Sequence, residues 1–259
     1  MPLPFRETRA GRRQTMTDRK KREQAAVLTI GNEILCADVH DFNGCWLAQE
    51  LYKLGVEVGI MLSLPDEEPL VAAHIRGLAR RYSPVITTGG IGTTLDDITR
   101  QAVARATNRP LELRGDVVKI IEEAKGGALT ETQKRLAELP RGCRLIPNRI
   151  GRAPGFVVDS IYVFPGVPEM LHDMFPLVAE EFRLPPFLSR TLTTRVFESE
   201  IAHLLEELAA TVPEVSIGSY PKKDDDGYFV LVVLKSKDEK KLETAFDWLA
   251  ERLPGQPAV

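Results

Sequence analysis

The feature that most constrains the fold of this sequence is a regular alternation of short apolar runs and amphipathic stretches. The apolar runs have the length of buried strands, and the stretches between them space their apolar residues as helices do. Strands separated by helices need crossover connections, which favour a mainly parallel sheet covered on both faces. The pattern predicts strands over 25–31, 56–64 and 84–88 and helices over 42–55 and 67–82.

The pattern continues beyond a third helix that ends near residue 107. Residues 115–140 predict two helical pieces, and the runs 143–147 and 156–164 predict strands, the second with a polar turn typical of a hairpin. A helix is predicted over 167–182. The fold class expected for this part of the chain is therefore α/β, with a mainly parallel sheet.

The proline-rich segment RLPPF, residues 183–187, predicts a joint between two domains. Beyond it the pattern changes to strand, helix, strand, strand, helix, which predicts a small α+β domain. We therefore expect three parts: a disordered basic leader over 1–24, the α/β domain over 25–185 and the small domain over 186–259.

Composition and charge exclude several classes of function. The 259-residue chain has a formal net charge of -3, so we expect no nucleic-acid partner, although the leader places eight basic residues against three acidic ones. No apolar run is long enough to span a membrane. The three cysteines form no CxxC pair, which favours free thiols and a cytoplasmic location.

The segment TTGGIGTTLDDIT, residues 87–99, joins a predicted strand to a predicted helix. In an open parallel sheet, such turns lie at the carboxyl ends of the strands, where ligands bind. Glycines allow the backbone to approach a ligand closely, and free N–H groups before a helix attract anions, phosphate above all. Gly89, Gly90 and Gly92 fit this role, and Thr93 and Thr94 add hydroxyl donors or a helix cap.

Two aspartates end the same turn. Because carboxylates repel phosphate, Asp96 and Asp97 suggest a Mg²⁺ ion that bridges carboxylate and phosphate oxygens. Acidic residues are also common in the first turn of a helix, so the alternative is that one aspartate only caps the helix. The residues by themselves leave both interpretations open.

Other predicted loops follow strands at the same end of the sheet. They are GNEILCADVHDFNG (31–44), LPDEE (64–68) with Asp66, NRIGRAPGF (148–156), and VFPGVPEM (163–170) with Glu169. Taken together with the glycine turn, these segments occur in the order and at the spacing of a known family. They resemble the molybdopterin-binding (MoaB/Mog-like) domain, in the version found in CinA, the competence- and damage-inducible protein.

This resemblance implies a three-layer α/β domain that commonly forms a dimer or trimer. Relatives bind the phosphate of molybdopterin, and CinA-like relatives are credited with metal-dependent hydrolysis of ADP-ribose- or FAD-like pyrophosphates. The region after residue 186 resembles the one that follows this domain in CinA-like proteins and in FAD synthases. A CinA-type amidohydrolase domain is not expected, because the chain ends at Val259.

The resemblance also implies roles for individual residues. Asp66 and Asp97, with Asp96 beside them, are expected to hold Mg²⁺ or to position the phosphate, and the first two are the candidate catalytic residues. The predicted ligand-binding residues are Gly89, Gly90, Gly92, Thr93, Thr94, Asp41, Asn43, Pro154, Gly155, Gly166 and Glu169.

The sequence departs from the family pattern at a few positions. Thr93 stands where Pro is usual. Ala37 stands where Gly is usual, which can reshape segment 31–44, here called the first loop, if that residue needs a positive φ. Two hypotheses follow. The protein binds a phosphate- or pyrophosphate-containing pterin or nucleotide with Mg²⁺, with hydrolysis of ADP-ribose- or FAD-like pyrophosphates left open, or it is a non-catalytic ligand-binding or oligomerising module related to molybdenum cofactor proteins. A homo-oligomer is expected in either case.

Overall fold

The computed structural model describes residues 24–151 and 153–257, so the predicted leader, apart from Gln24, lies outside the described residues. The chain divides into two compact units. The first ends at Leu184 and the second begins at Pro185. Each unit has a hydrophobic core of its own.

The first unit contains eight described strands and eight short or medium α-helices. The strands are β1 (Gln24–Ile30), β2 (Glu57–Leu64), β3 (Val85–Thr88), β4 (Leu111–Leu113), β5 (Glu138–Pro140), β6 (Arg144–Ile146), β7 (Gly155–Val158) and β8 (Ile161–Phe164). The helices are α1 (Asn32–Leu35), α2 (Phe42–Lys53), α3 (Glu68–Ala79), α4 (Thr99–Ala106), α5 (Gly115–Lys125), α6 (Glu131–Lys134), α7 (Pro168–Met174) and α8 (Pro176–Ala179).

Six of these strands form one central sheet in the order β2-β1-β3-β8-β7-β6. Strands β2, β1, β3 and β8 run parallel, and β7 and β6 extend the sheet with antiparallel pairs. The predicted hairpin is formed by β7 and β8. The parallel order brings the carboxyl ends of β1, β2, β3 and β8 to one edge, where their following loops meet.

Both faces of the central sheet are covered by helices, as β1 illustrates. Ala26, Leu28 and Ile30 pack in one core with apolar residues of α3, α4 and α5. The intervening Ala25 and Val27 pack in the other core with residues of α2 and α7. Because successive side chains of a strand point to opposite faces, this alternation builds three layers. The predicted α/β fold class is confirmed.

Some predicted element boundaries were wrong. The second helical piece within 115–140 ends early, because residues 138–140 form β5, which pairs with β4 in a separate two-stranded sheet. The helix predicted over 167–182 is divided into α7, α8 and a 3₁₀ turn at Glu180–Phe182, with Pro176 at the start of α8. A proline in a helix interior removes a backbone hydrogen bond, so it begins a new helix instead.

None of the described helices is long and apolar enough to cross a membrane.

The second unit is a four-stranded sheet with two longer helices. Its elements are β9 (Leu188–Thr194), α9 (Glu198–Thr211), β10 (Ser216–Asp224), β11 (Gly227–Ser236), α10 (Glu239–Arg252) and the short β12 (Gln256–Pro257). The sheet order is β10-β11-β9-β12, and all three pairs are antiparallel. One face of β11 is buried against apolar residues of both helices, which gives the α+β arrangement.

The tyrosine of β8 provides a test of the packing at the antiparallel side of the central sheet. Tyr162 is buried, and its hydroxyl donates a hydrogen bond to Oε2 of Glu181 at 2.8 Å. Burial, together with this carboxylate, raises the pKa of Tyr162 to about 12. Its neutral form therefore stabilises the fold fully below the ordinary tyrosine pKa of about 10, and this contribution is lost as the pH rises towards 12.

We expect the free energy of unfolding of the wild type to fall relative to that of Tyr162→Phe as the pH rises from about 10 to 12. Denaturant unfolding at several pH values measures the difference. The tyrosinate absorbance of the two proteins, titrated in parallel, should differ by one group that ionises near pH 12. Ionisation of that group at the ordinary pKa would contradict the packing described.

Candidate functional site

The glycine turn runs from the end of β3 to the start of α4. Gly89 has a φ of +96°, and a Cβ there would lie 2.2 Å from the carbonyl oxygen of Ile30. Gly90 has a φ of +67°, and its Cβ would lie 2.4 Å from Oγ1 of Thr99. Both the backbone conformation and the available space therefore require glycine at these two positions.

The start of α4 binds all four carbonyl groups of residues 89–92. Thr99 binds the first two and Arg100 the last two. The contacts are Thr99 Oγ1 to Gly89 O at 2.9 Å, Thr99 N to Gly90 O at 2.9 Å, Arg100 Nη1 to Ile91 O, and Arg100 Nη2 to Gly92 O at 2.7 Å. With its carbonyls held on the helix side, the turn directs peptide N–H groups away from α4. Among the described residues, the N–H groups of Gly90 and Ile91 meet no acceptor.

Arg100 is an unusual residue for this place. Its side chain is only 2% exposed, and burial lowers the pKa of the guanidinium, while nearby Asp97 opposes that shift. A positive charge near a helix N-terminus is also unfavourable because of the helix dipole. Two backbone carbonyls compensate for the lost hydration, so Arg100 serves to hold the turn.

Asp97 closes the turn from the other side. Its Oδ1 accepts from Gly92 N at 2.6 Å, and its Oδ2 accepts from Thr94 N at 2.7 Å and from Thr94 Oγ1 at 2.6 Å. Helix α4 begins at Thr99 and its N-cap position is Ile98, so neither aspartate caps the helix. Asp97 instead stabilises the loop conformation, and both of its oxygens are already hydrogen-bonded.

A cavity of about 640 Å³, here called the turn cavity, opens at the glycine turn. Glu33 of the first loop, the loop after β6, and the start of α7 complete its wall. Its lining residues are Glu33, Gly89, Gly90, Ile91, Gly92, Thr93, Asp97, Leu136, Asn148, Ile150, Gly151, Ala153, Pro165, Gly166, Val167 and Met170. This lining, as far as it is described, contains two carboxylates and no lysine, arginine or histidine.

A second cavity of about 100 Å³, here called the side cavity, adjoins the first. The two share Glu33, Gly89 and Gly166. The lining residues of the side cavity are Thr29, Ile30, Glu33, Ile34, Val39, His40, Asp41, Phe42, Asn43, Thr88, Gly89, Gly166 and Pro168. The first loop and the ends of β1, β3 and β8 therefore enclose it.

Asn43 connects the loops that surround both cavities. Its Nδ2 donates to Oγ1 of Thr88 at 3.0 Å and to the carbonyl of Gly166 at 2.8 Å. Gly166 in turn lies against the glycine turn, because a Cβ at this residue would be 3.3 Å from Cα of Gly89. These contacts hold three chain segments in a fixed mutual position.

The first loop has its own supports. Asp41 caps α2 by accepting from Gly44 N at 2.8 Å, and it also accepts from Oγ1 of Thr29 at 2.8 Å. Asp66 accepts from Asn32 N at 2.9 Å and so anchors the start of the loop. Ala37 has a φ of +59°, so the residue that replaces the usual glycine does sit in the left-handed region.

The structure brings together many, but not all, of the predicted site residues. Gly89, Gly90, Gly92, Thr93, Asp97 and Gly166 line the turn cavity, and Asp41 and Asn43 line the side cavity. The others line neither cavity. Thr94 binds Asp97, Asp66 anchors the first loop, Asp96 and Glu169 are exposed, and Pro154 and Gly155 are buried at the start of β7.

Sequence reasoning assigned no role to several residues of the site, although Glu33 was among the polar residues that segment 31–44 offered. Glu33 lines both cavities, and Asn148 orders the loop after β6 by accepting from Gly151 N at 2.7 Å. The position of Glu33, immediately after a buried strand that ends in glycine, was a usable signal. Arg100 carried a weaker one, since a basic residue in the first turn of a helix needs an explanation.

The fold and the site define the class of this protein: a three-layer α/β domain with a glycine-turn cavity at the carboxyl ends of its parallel strands. Residues 26–187 match the family described as "Probable molybdopterin binding domain", and residues 186–259 match "FAD synthase, middle domain". The chain belongs to the molybdopterin-binding (MoaB/Mog-like) domain family, as its motifs predicted.

Individual relatives agree with this assignment. A protein from Archaeoglobus fulgidus is 30% identical over 88% of this chain and 96% of its own length. A CinA-like protein from Citrifermentans bemidjiense is 36% identical over 74% of this chain, but the match spans only 49% of that relative. The crystal structure of CinA from Thermoplasma acidophilum, described as having unknown function, superposes with a TM-score of 0.59 at 27% identity, over 62% of this chain and 99% of that one.

Ala37 gives a first test of the loop geometry. Because an alanine at a φ of +59° is strained, we expect Ala37→Gly to raise the free energy of unfolding by about 0.5–1 kcal/mol. Ala48→Gly, within α2, is a matched control that should lower it by a similar amount, about 0.5–1 kcal/mol. Denaturant unfolding of the three proteins measures both effects. Destabilisation by Ala37→Gly would contradict the positive φ.

Asp97 gives a second test, directed at the turn. In Asp97→Asn, one of the oxygens that accept N–H groups becomes an amide nitrogen, which leaves a donor facing a donor. We expect a loss of about 1–3 kcal/mol in the free energy of unfolding. Asp96→Asn removes the same charge from an exposed neighbour and should change stability by less than about 0.5 kcal/mol. Equal effects of the two substitutions would mean that Asp97 does not hold the turn.

Proposed function

We propose that the first unit binds the phosphate or pyrophosphate group of a pterin or nucleotide at the glycine turn, together with Mg²⁺. The observation that carries this proposal is the hydrogen bonding of all four carbonyls of residues 89–92 to the start of α4. It leaves N–H groups such as those of Gly90 and Ile91 for a ligand in the turn cavity. Unpaired N–H groups next to a helix N-terminus are a favourable site for an anion.

The charge of the turn cavity supports the inclusion of a cation. Glu33 and Asp97 place two carboxylates in the lining, and no basic side chain is among its described residues. A cation between a bound phosphate and these carboxylates would reduce their mutual repulsion. The resemblance to this family implies a phosphate-containing ligand. It does not indicate how this chain would compensate the negative charge of that ligand.

The available side chains suit Mg²⁺ held largely by the ligand. Magnesium commonly keeps several waters and binds one or two carboxylates plus substrate phosphates. The described residues contain no group of three His, Cys, Asp or Glu side chains that could hold a metal by themselves. Glu33 and Asp97 are therefore the proposed carboxylate ligands. Asp66, which was expected to share this role, is proposed to act indirectly by anchoring the loop that carries Glu33.

The size of the turn cavity supports a ligand of this class. About 640 Å³ lies within the range of roughly 300–1,000 Å³ that small-molecule sites occupy. Ile91, Val167 and Met170 add apolar surface to the polar turn, as a ring system attached to a phosphate would require.

Hydrolysis is a second step of the proposal, and the match of residues 186–259 to the middle domain of FAD synthase favours a compound of the FAD class as the substrate. ADP-ribose- and FAD-like pyrophosphates are the substrates to test. A bound divalent cation would polarise a phosphorus–oxygen bond and neutralise the developing charge. The three hydrogen bonds that Asp97 already accepts favour the alternative, a non-catalytic binding module.

A cytoplasmic location and a homo-oligomer remain predictions from the sequence.

Thermal unfolding in the presence of inorganic pyrophosphate, ADP-ribose or FAD, with and without Mg²⁺, tests binding. At a concentration of one hundred times Kd, a ligand should stabilise the unit by about 2.7 kcal/mol, and removal of Mg²⁺ with a chelator should abolish most of this gain. Stabilisation that does not depend on Mg²⁺ would remove the cation from the proposal. No stabilisation by any of the three compounds would remove the anion site itself.

The same samples, assayed for AMP released from ADP-ribose and FAD, test hydrolysis. Turnover by the wild type that Glu33→Gln lowers by about tenfold or more would support an enzyme with a carboxylate at the reacting phosphate. Binding without any release of AMP would establish the non-catalytic module instead.

A further inference from the structure

The central sheet has one long edge without the features that usually prevent an edge from pairing. Strand β2 (Glu57–Leu64) pairs only with β1 among the described strands, so its outer edge offers backbone N–H and C=O groups. Its sequence, EVGIMLSL, contains no proline and no lysine, and its single charge lies at the first residue. A long, exposed, apolar edge strand is a site for pairing with another strand.

The other edge strands of the described chain differ from β2 in length or in sequence. Strand β6, at the opposite edge of the central sheet, has three residues and is followed by Pro147. Strands β4, β5 and β12 have only two or three residues each. Strand β10 is longer, but it contains Pro221, Lys222 and Lys223, which hinder pairing at an edge. The open edge of β2 is therefore an exception, which indicates that another strand covers it.

The side chains of β2 are apolar on both faces of the sheet. Ile60 and Leu62 pack against the core that contains α3 residues, and Val58 packs against the core that contains α2 residues. Met61, which alternates with Ile60 and Leu62, is 42% exposed. An apolar run of this kind is typical of a strand inside a sheet that is covered on both faces. Strand β2 thus has the sequence of an internal strand but only one neighbour.

A groove of about 750 Å³ lies between this edge and helix α2. Its lining residues are Ala48, Gln49, Tyr52, Lys53, Glu57, Val58, Gly59, Ile60 and Met61. Most of these side chains are apolar, and Lys53 is already paired with Glu50 of the same helix. The groove and the outer edge of β2 together are here called the edge surface. A partner for the edge surface must bring apolar side chains next to a strand.

The sequence favours a second copy of this chain as that partner. A strand that covers β2 needs apolar side chains on both of its faces. The leader does not supply such a strand, because residues 6–23 contain only two hydrophobic residues, Ala10 and Met16, and residues 1–5 include two prolines. Strand β2 of another copy meets the requirement by itself, and helix α2 of that copy brings its own apolar residues to the groove.

The charge on β2 favours an antiparallel pair. In a parallel pair, the two Glu57 carboxylates would lie side by side, and like charges directly opposite each other are destabilising. In an antiparallel pair they lie at opposite ends. Residues 60–64 pair with residues 26–30 of β1 without a register shift, so this uncharged part of β2 has a regular edge for the new partner.

We propose that the β2 strands of two copies pair antiparallel about a two-fold axis and join the two central sheets into one continuous sheet. The axis is perpendicular to the sheet, so the two α2 helices lie on the same face and cover the grooves between them. The edge surface shares no residue with the turn cavity or the side cavity. The inference is therefore independent of the proposed function.

Sedimentation velocity of the full chain over a range of concentrations tests the assembly. We expect the wild type to form a dimer that dissociates on dilution. Met61→Lys places a charge at the paired edge, as natural edge strands do to prevent pairing, and should raise the dissociation constant by at least about tenfold. Leu70→Lys introduces the same charge at an apolar residue of α3 that is 36% exposed and lies outside the edge surface. This control should leave the dissociation constant within about twofold of the wild-type value, as surface substitutions outside an interaction usually do.

Hydrogen exchange measured by mass spectrometry identifies the surface that pairs. In the wild type, the amides of residues 57–64 should become more protected as the concentration rises through the dissociation constant, and Met61→Lys should lose this gain. Both substituted side chains are exposed, so each variant should keep the fold, which circular dichroism checks.

Four results would overturn the inference. They are a wild type that is monomeric at every concentration, a trimer, an oligomer whose dissociation constant is unchanged in Met61→Lys, and β2 amides whose exchange does not depend on concentration. Strong protection of β2 in a monomer would show that another segment of the same chain covers the edge.

Discussion

The site depends on the binding of the glycine-turn carbonyls by the first residues of α4. A peptide unit is planar, so fixing the carbonyl oxygen on one side directs the N–H to the other. Thr99 and Arg100 fix four successive carbonyls in this way. The hydrogen-bond donors available to a ligand are thus set by groups that never contact it. This arrangement also explains why a guanidinium is buried in a place where the helix dipole opposes it.

A second constraint is the contact between backbone segments. Gly89 approaches the carbonyl of Ile30, and Gly166 lies against Gly89, so the loops after β1, β3 and β8 meet without intervening side chains. Asn43 then links two of these segments through its amide group. Such dense packing leaves little freedom for any one loop to move independently. The two cavities consequently share a wall formed by Glu33, Gly89 and Gly166.

Much of this arrangement could be predicted from the sequence. Periodicity identified the alternating strands and helices of the first unit, because each element must bury one or both faces in a repeating pattern. The glycines at 89 and 90 were correctly associated with an unusual backbone, and the pattern of loops identified the family. The helix predicted up to 182 and the missed β5 were errors of local context. Short strands such as β4 and β5 depend on a partner distant in sequence, which periodicity does not report.

The sequence by itself determined the fold class, the end of the sheet where the loops meet, and the need for glycine in the turn, because these follow from local sterics and from burial. Only the tertiary structure decided what each polar side chain does. Asp97 and Asp66 were both candidates for a metal: Asp97 binds the turn and lines the turn cavity, Asp66 anchors a loop and lines neither cavity, and Glu33 lines both cavities. The sequence does not distinguish the role of one loop carboxylate from that of another, because the role depends on which hydrogen-bond donors the folded chain brings within about 3 Å of it.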